Sequence, residues 1–211
     1  FFLTHTTLST HEDTAAWATI FRMVLKYTDG QVPRFQMADG AWEITNAGRE
    51  VFGEVGTRLM CWSHVHRNVK PKLAGIRKIN KALGEAILTH IEDIQWMAQS
   101  EQEFTVLCDQ LEQHYTRKKL SGTERTLVKA FLDYFLAQWG PGSHAMNWFA
   151  GAHPFSITNN QGQEGYHKEV KRNHTFRSEL PLGQFFQAME QLVRIFSSFI
   201  TLLSQIFIYL Y

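Results

Sequence analysis

Two acidic residues occur in contexts typical of carboxylates that bind a divalent metal ion. Asp39 ends the short apolar run of "RFQMADG", and Glu164 follows the polar run "TNNQGQ". Hard cations such as Mg²⁺ prefer carboxylate oxygens, and parallel strands of α/β folds end in a ligand crevice. A metal-dependent phosphoryl-transfer site is therefore one interpretation. The other is structural, with an Asp-Gly turn at Asp39 and a favourable helix-dipole contact at Glu164.

A cysteine and a histidine form a C-x-x-H pair, Cys61 and His64, with His66 close by. A structural zinc site needs four ligands, and no second pair of this kind exists. The remaining candidates are scattered along the chain: His90, Cys108 and His114. A Cys61–His64 nucleophile pair is a further interpretation, without a visible oxyanion motif or orienting acid. A buried cysteine at a strand end is the bland alternative.

Basic residues are concentrated in two segments, although the net charge of the whole chain is only +1. The stretch Arg67–Lys81 contains no acidic residue, and a second cluster follows Glu164. Such local patches suit contacts to phosphates, whereas a solvated helix face is the structural alternative. The residues predicted to contact DNA are Arg67, Lys70, Lys72, Lys168, Lys171, Arg172 and Arg177.

The elements around Asp39 predict an α/β layer. Residues 1–9 are typical of an edge strand, and residues 13–27 of a helix preceded by a Thr10–Asp13 capping box. A strand over 33–38, a helix over 41–52 and a strand over 57–62 follow, an alternation that predicts parallel strands. The helix periodicity directs Trp42, Ile44, Ala47, Val51 and Phe52 toward the core.

Residues 67–139 predict a block of three or four helices, with a break or restart at Pro71 and one helix over 75–98. Capping boxes are predicted at Ser100 with Glu103 and at Ser121 with Glu124. A Gly-Pro-Gly loop follows, flanked by Trp139 and Trp148. Further helices are predicted over 163–173 and 182–203.

Composition favours one globular domain, with or without an insertion, because 44% of the residues are hydrophobic and 19% are charged. Two cysteines indicate a reducing, intracellular setting rather than a disulfide framework. The start at Phe1, without an initiator Met, suggests a fragment of a longer protein. The uncharged end, residues 195–211, is short for a membrane span and favours a buried helix. Translated non-coding sequence is a third interpretation of that end.

Three segments in this order resemble the transposase domain of Mutator-like elements, the MULE domain. They are "FQMADGAWEITNAGREVF", "RLMCWSHVHRNVKPKL" and "WFAGAHPFSITNNQGQEGYHKEVKRNHTFR". The resemblance covers roughly residues 1–180. It implies the RNase H-like fold of the DDE superfamily, a mixed sheet with flanking helices interrupted by an all-helical insertion. The implied parts are a core over 1–66, the insertion over 67–150, the helix of the catalytic Glu over 151–180, and an apolar tail over 181–211.

By that resemblance Asp39 is the second catalytic Asp, Glu164 is the catalytic Glu, and Cys61 with His64 is the family's C-x-x-H motif. The family's first Asp would lie upstream of residue 1, so we expect the chain to be N-terminally truncated and inactive alone. The resemblance further implies Mg²⁺ or Mn²⁺, nuclear localisation, and DNA cleavage and strand transfer at transposon terminal inverted repeats and target DNA. It also allows a homo-oligomer.

Three other functions stay open from the sequence. The first is a non-catalytic DNA-binding or regulatory protein derived from a transposase. The second is a fragment attached to a membrane through residues 195–211, and the third is an unrelated hydrolase that uses Cys61 and His64.

Overall fold

The computed structural model describes residues 11–53 and 57–153, and a few later positions: 168, 172, 181, 183–188, 190, 191 and 194. The chain divides into two compact units, one of Thr7–Asn160 and one of Phe1–Thr6 with Gln161–Tyr211. In the smaller unit residues 183–188 are helical. The predicted strand over 1–9 and the tail over 195–211 lie outside the described residues, and the predicted helix over 163–173 is described only at 168 and 172.

The first part of the larger unit alternates helices and strands. In order these are α1 (Thr14–Tyr27), β1 (Phe35–Ala38), α2 (Trp42–Phe52) and β2 (Thr57–Met60). The two strands pair in parallel, with Phe35 opposite Thr57 and Ala38 opposite Met60. The predicted parallel pairing is therefore confirmed, and the described residues form a mostly helical α/β structure with a small sheet.

Helix α1 begins at a cap that differs from the predicted one. Asp13 is itself the N-cap, because its side chain accepts a hydrogen bond of 2.8 Å from the Ala16 amide. The predicted partner Thr10 lies outside the described residues. Helix α1 packs on α2 through the Phe21 and Phe52 rings, whose centroids are 4.9 Å apart.

Helix α2 buries three of the five expected residues, and Val51 is half-buried. Ile44, Ala47 and Phe52 are buried, but the Trp42 side chain is 51% exposed. The expectation that Trp42 faces the core is wrong because this residue opens the helix and its ring stacks on His144.

The helical block contains five helices instead of the predicted three or four. They are α3 (Trp62–Lys72), α4 (Ala74–Ile79), α5 (Lys81–Met97), α6 (Glu101–Arg117) and α7 (Gly122–Trp139). The second strand ends at Met60, two residues before the predicted end, because α3 already begins at Trp62. The predicted restart near Pro71 is confirmed, since α3 ends at Lys72 and α4 follows.

The predicted single helix over 75–98 is interrupted at Asn80. The backbone of Asn80 is extended, with φ −143° and ψ 96°, and its side chain accepts a 3.0 Å hydrogen bond from the Leu83 amide. Asn80 therefore acts as the N-cap of α5. The pattern of apolar residues continues through this break, so periodicity alone did not reveal it.

The two later caps were predicted, and one has a different geometry. Ser121 and Glu124 form the complete capping box of α7. Ser100 caps α6, but the carboxylate of Glu103 accepts from the Gln99 amide at 2.8 Å instead of closing the box on Ser100.

One hydrophobic core runs from Met60 to Phe149 and joins the helices to the loop after α7. Trp148 is fully buried, stacked on Trp62 at 5.4 Å between ring centroids, and Phe104 stacks on Phe149 at 4.7 Å. Residues 66 and 67, between which the first domain boundary is predicted, both belong to α3.

No helix within the described part of the chain combines the length and apolar character needed to cross a bilayer.

Gly151 packs directly against the backbone of Gln99, in the connection between α5 and α6. Its amide donates to the Ala98 carbonyl at 2.9 Å, and a Cβ at this position would lie 2.1 Å from the Gln99 carbonyl carbon. Backbone atoms cannot move aside as a flexible side chain can. We predict that Gly151→Ala lowers the free energy of unfolding by about 1–3 kcal/mol, measured by urea denaturation.

The matched control is Gly122→Ala at the first turn of α7. A Cβ there would meet nothing within 4 Å, so the stability should be unchanged or rise by up to about 1 kcal/mol. Equal effects of the two substitutions would contradict the packing described at Gly151.

Candidate functional site

Asp39 and Cys61 leave the sheet at the same edge. Each directly follows a strand, and the last residues of those strands, Ala38 and Met60, are opposite each other in the parallel register. The Cys61 amide also donates to the Ala38 carbonyl at 3.3 Å. Two of the predicted motifs therefore converge at the carboxyl edge of β1 and β2, where α/β folds bind ligands.

The carboxylate of Asp39 makes a turn contact with one of its oxygens. Oδ1 accepts a 3.1 Å hydrogen bond from the Ala41 amide, which turns the chain from β1 into α2. Oδ2 accepts no hydrogen bond from a described residue. The structural interpretation of Asp39 is thus satisfied by one oxygen, and the residue is half-buried.

Arg58 supports Asp39 from the neighbouring strand. Its guanidinium donates hydrogen bonds to the backbone carbonyls of Asp39 and Leu59. Burial lowers the pKa of Arg58 to about 10, and the nearby charge of Asp39 opposes that shift. The guanidinium is still a cation at neutral pH, so it fixes the Asp39 backbone and places a positive charge beside the carboxylate.

The loop after α7 covers the free side of β2. The Asn147 carbonyl accepts from the Met60 amide at 2.8 Å, and the Asn147 side-chain amide donates to the Arg58 carbonyl at 2.9 Å. His153 Nε2 lies 2.9 Å from the same Asn147 carbonyl. Asn147 therefore satisfies β2 backbone groups that a further strand would otherwise pair with.

The same loop reaches the turn after Asp39. His144 Nε2 donates to the Gly40 carbonyl at 3.1 Å. The His144 ring stacks on Trp42, with centroids 3.8 Å apart and planes at 19°. Trp42, three residues after Asp39, is thus stacked on a ring that is hydrogen-bonded to the turn.

The C-x-x-H pair is partly buried and occupies the start of α3. Cys61 is fully buried, and the His64 amide donates to the Cys61 carbonyl at 3.1 Å. Of the scattered candidates, His90 Nδ1 lies 2.9 Å from the Tyr115 hydroxyl, with its ring 5.4 Å from that of His114. Within residues 11–53 and 57–153 no three His, Cys, Asp or Glu side chains are grouped so that they could hold a metal ion.

The basic residues predicted to bind DNA fall into two groups. On α3, Arg67, Lys70 and Lys72 are exposed, and the Lys72 ammonium lies 5.0 Å from the centroid of the Tyr134 ring. The exposed residues Lys78 and Lys81 continue this basic segment along the following helices.

In the smaller unit Lys168 and Arg172 are exposed. Glu164, Lys171 and Arg177 lie outside the described residues. Whether Glu164 shares a site with Asp39 therefore stays a prediction.

Comparison with protein-family models, with curated proteins and with solved structures finds no match to this chain.

Three residues of this edge were not predicted from the sequence: Arg58, His144 and Asn147. Arg58 carried a weak signal, as the basic residue within the strand "TRLM". His144 and Asn147 lie in a glycine-rich loop more than 80 residues from the groups they bind, so no local pattern points to them.

Cys108, one of the scattered zinc candidates, is buried, and the effect of that burial on its thiol can be tested. Burial, with a smaller contribution from Asp109, raises the pKa of this thiol from 9.0 to about 12. A raised pKa in the folded state stabilises the fold below pH 9, and this contribution is lost as the pH rises toward 12. We predict that the free energy of unfolding falls by about 2–3 kcal/mol more in the wild type than in Cys108→Ala between pH 9 and 11, measured by urea denaturation.

Val128→Ala is the matched control, since it shortens another buried side chain and retains both cysteines, and it should keep the wild-type dependence on pH. If the free energy of unfolding of the wild type and of Cys108→Ala falls equally with pH, the raised pKa of Cys108 is contradicted.

Proposed function

We propose that this chain is part of a DNA-processing domain of the Mutator-like transposase type, with an RNase H-like sheet to which β1 and β2 belong. The observation that supports this most is the position of Asp39 and Cys61 at one carboxyl edge of a parallel pair. The resemblance assigns both residues to motifs of that family. The helical block that follows β2 agrees with the all-helical insertion that the resemblance implies.

The metal chemistry is part of the proposal. The described residues alone do not group enough candidate ligands around Asp39 to form a metal site. We propose that Asp39 and Glu164 each provide a ligand to Mg²⁺ or Mn²⁺, which would activate an oxygen nucleophile toward a phosphodiester.

The protein's own groups prepare the position of Asp39. The hydrogen bond from the Ala41 amide holds one oxygen of the carboxylate, and the Arg58 guanidinium holds the backbone carbonyl of Asp39. A fixed carboxylate loses little freedom when it binds a cation, which is what a site of this class requires.

DNA is the proposed partner because of the exposed basic residues on α3 and on the helices that follow it. Exposed Arg and Lys side chains neutralise phosphates without reading sequence, and they give affinity that depends strongly on salt. Under this proposal the DNA consists of transposon terminal inverted repeats and target sites in the nucleus. A homo-oligomer is compatible with this proposal.

A non-catalytic DNA-binding protein is the second candidate function. The same exposed basic residues support this second function, which needs no complete set of carboxylates. The two functions differ in the role of Asp39, which contributes a metal ligand in the first and only a turn in the second.

Metal binding distinguishes these two functions. We predict that Asp39→Asn weakens Mn²⁺ binding to the full chain at least about 10-fold, measured by the electron paramagnetic resonance of free Mn²⁺, because a charged ligand is lost. Asparagine keeps an oxygen for the Ala41 amide, so the turn is retained. Glu164→Gln should have a similar effect.

Asp29→Asn is the matched control. It removes the same charge at an exposed turn with φ 50°, a backbone conformation that asparagine tolerates. If Asp39→Asn and Asp29→Asn bind Mn²⁺ equally, Asp39 is a turn residue and the non-catalytic function is preferred.

The salt dependence of DNA binding tests whether the basic residues of α3 contact phosphates. We predict that replacing Arg67, Lys70 and Lys72 together by Gln weakens binding to duplex DNA of any sequence. The slope of log affinity against log salt should decrease by about 2–3, since each phosphate contact contributes roughly 0.9. Fluorescence anisotropy at several salt concentrations gives this slope.

The control variant removes an equal charge from exposed residues of other helices. It carries Gln at Lys26, Arg49 and Arg125. Equal slopes for the two triple variants would show that DNA affinity depends only on the total charge, and would exclude a specific contact of DNA with α3.

A further inference from the structure

Trp42 is the most unusual exposed side chain near the candidate site. Half of the indole surface is accessible, although tryptophan is mostly buried in folded proteins. One face of its ring is covered by the stacked His144 imidazole. The indole is flat and apolar, so its accessible surface is one that a second flat ring could contact.

The ring pair is held from behind by buried structure. His144 donates to the Gly40 carbonyl, and a Cβ on Gly40 would lie 3.5 Å from the buried Trp139 ring. The Trp139 carbonyl in turn accepts from the Trp148 indole at 2.8 Å. A surface fixed in this way loses little conformational entropy when a second ring stacks on it.

A second exposed tryptophan shows what this arrangement adds. Trp96, at the end of α5, is 67% exposed, and no ring of the described residues stacks on it. Exposure of an indole therefore occurs elsewhere in the chain, whereas stacking of an exposed indole on a fixed ring occurs beside Asp39.

The charges around Trp42 indicate which part of a nucleotide would bind there. Asp39 and the exposed Glu43 are close in sequence on either side and would repel a phosphate placed directly on the ring. A nucleobase is flat and uncharged, and every base can stack on an aromatic side chain for about 1–3 kcal/mol.

We propose that Trp42, backed by His144, is a stacking platform for one unpaired nucleobase of the DNA held at Asp39. The inference rests on the proposed DNA function and adds a binding position to it. It requires that the DNA near Asp39 has a base out of its pair, because a base inside a duplex offers no free face.

The test compares two DNA probes of equal duplex length with the full chain. One is blunt, and the other carries a short single-stranded overhang that contains 2-aminopurine. We expect Trp42→Ala to weaken binding of the overhang probe about 5- to 150-fold and to abolish quenching of the 2-aminopurine fluorescence. Binding of the blunt probe should be unchanged, and Trp42→Phe should retain most of the overhang affinity.

Trp96→Ala is the matched control, and it should bind both probes like the wild type. Circular dichroism of each variant establishes that it is folded. If Trp42→Ala binds the overhang probe as tightly as the wild type, or weakens both probes equally, the platform is refuted while the DNA function stands. If the wild type binds neither probe, both proposals are refuted.

Discussion

The pairing of β1 with β2 is the constraint on which the rest of the larger unit depends. Two short parallel strands are not stable alone, because parallel sheets need cover on their faces and partners along their edges. Helix α2 connects the strands, and α1 packs on α2. The edge of β2 is completed by Asn147, which binds a backbone donor and a backbone acceptor of that strand.

That edge contact ties the strands to the helical block. Asn147 lies between the buried residues Ala145 and Trp148, and the Trp148 indole is fixed on the carbonyl at the end of α7. The loop therefore cannot leave β2 without disturbing the core of the five helices. In return, the β2 residue Met60 is itself a member of that core. The helices act as the support of the sheet edge at which Asp39 lies.

The sequence predicted the elements whose causes are local. Helix α7 begins at a capping box that is legible in four residues, and the parallel order of β1 and β2 follows from the alternation of patterns. Trp42 was misplaced because its periodicity matches a buried helix face, whereas its environment is set by His144, about 100 residues away in sequence. The break at Asn80 was missed for the opposite reason: one local hydrogen bond outweighs an uninterrupted apolar pattern.

The candidate site follows the same division. Asp39 and Cys61 were found because strand ends are recognisable in sequence, and their common edge then follows from the parallel register. Arg58 and Asn147 could not be found, because each acts through backbone groups that any residue could offer. Such contacts leave no mark on the partner's residue type.

The turn at Asp39 links the fold to the proposed chemistry. One carboxylate oxygen starts α2 by binding the Ala41 amide, and the next residue of the chain, Trp42, is then placed against His144. The turn that holds one oxygen of Asp39 therefore also precedes the residue whose indole stacks on His144. The Arg58 guanidinium binds the backbone carbonyl of Asp39 and not its carboxylate, so this contact fixes the strand end without occupying the side-chain oxygens.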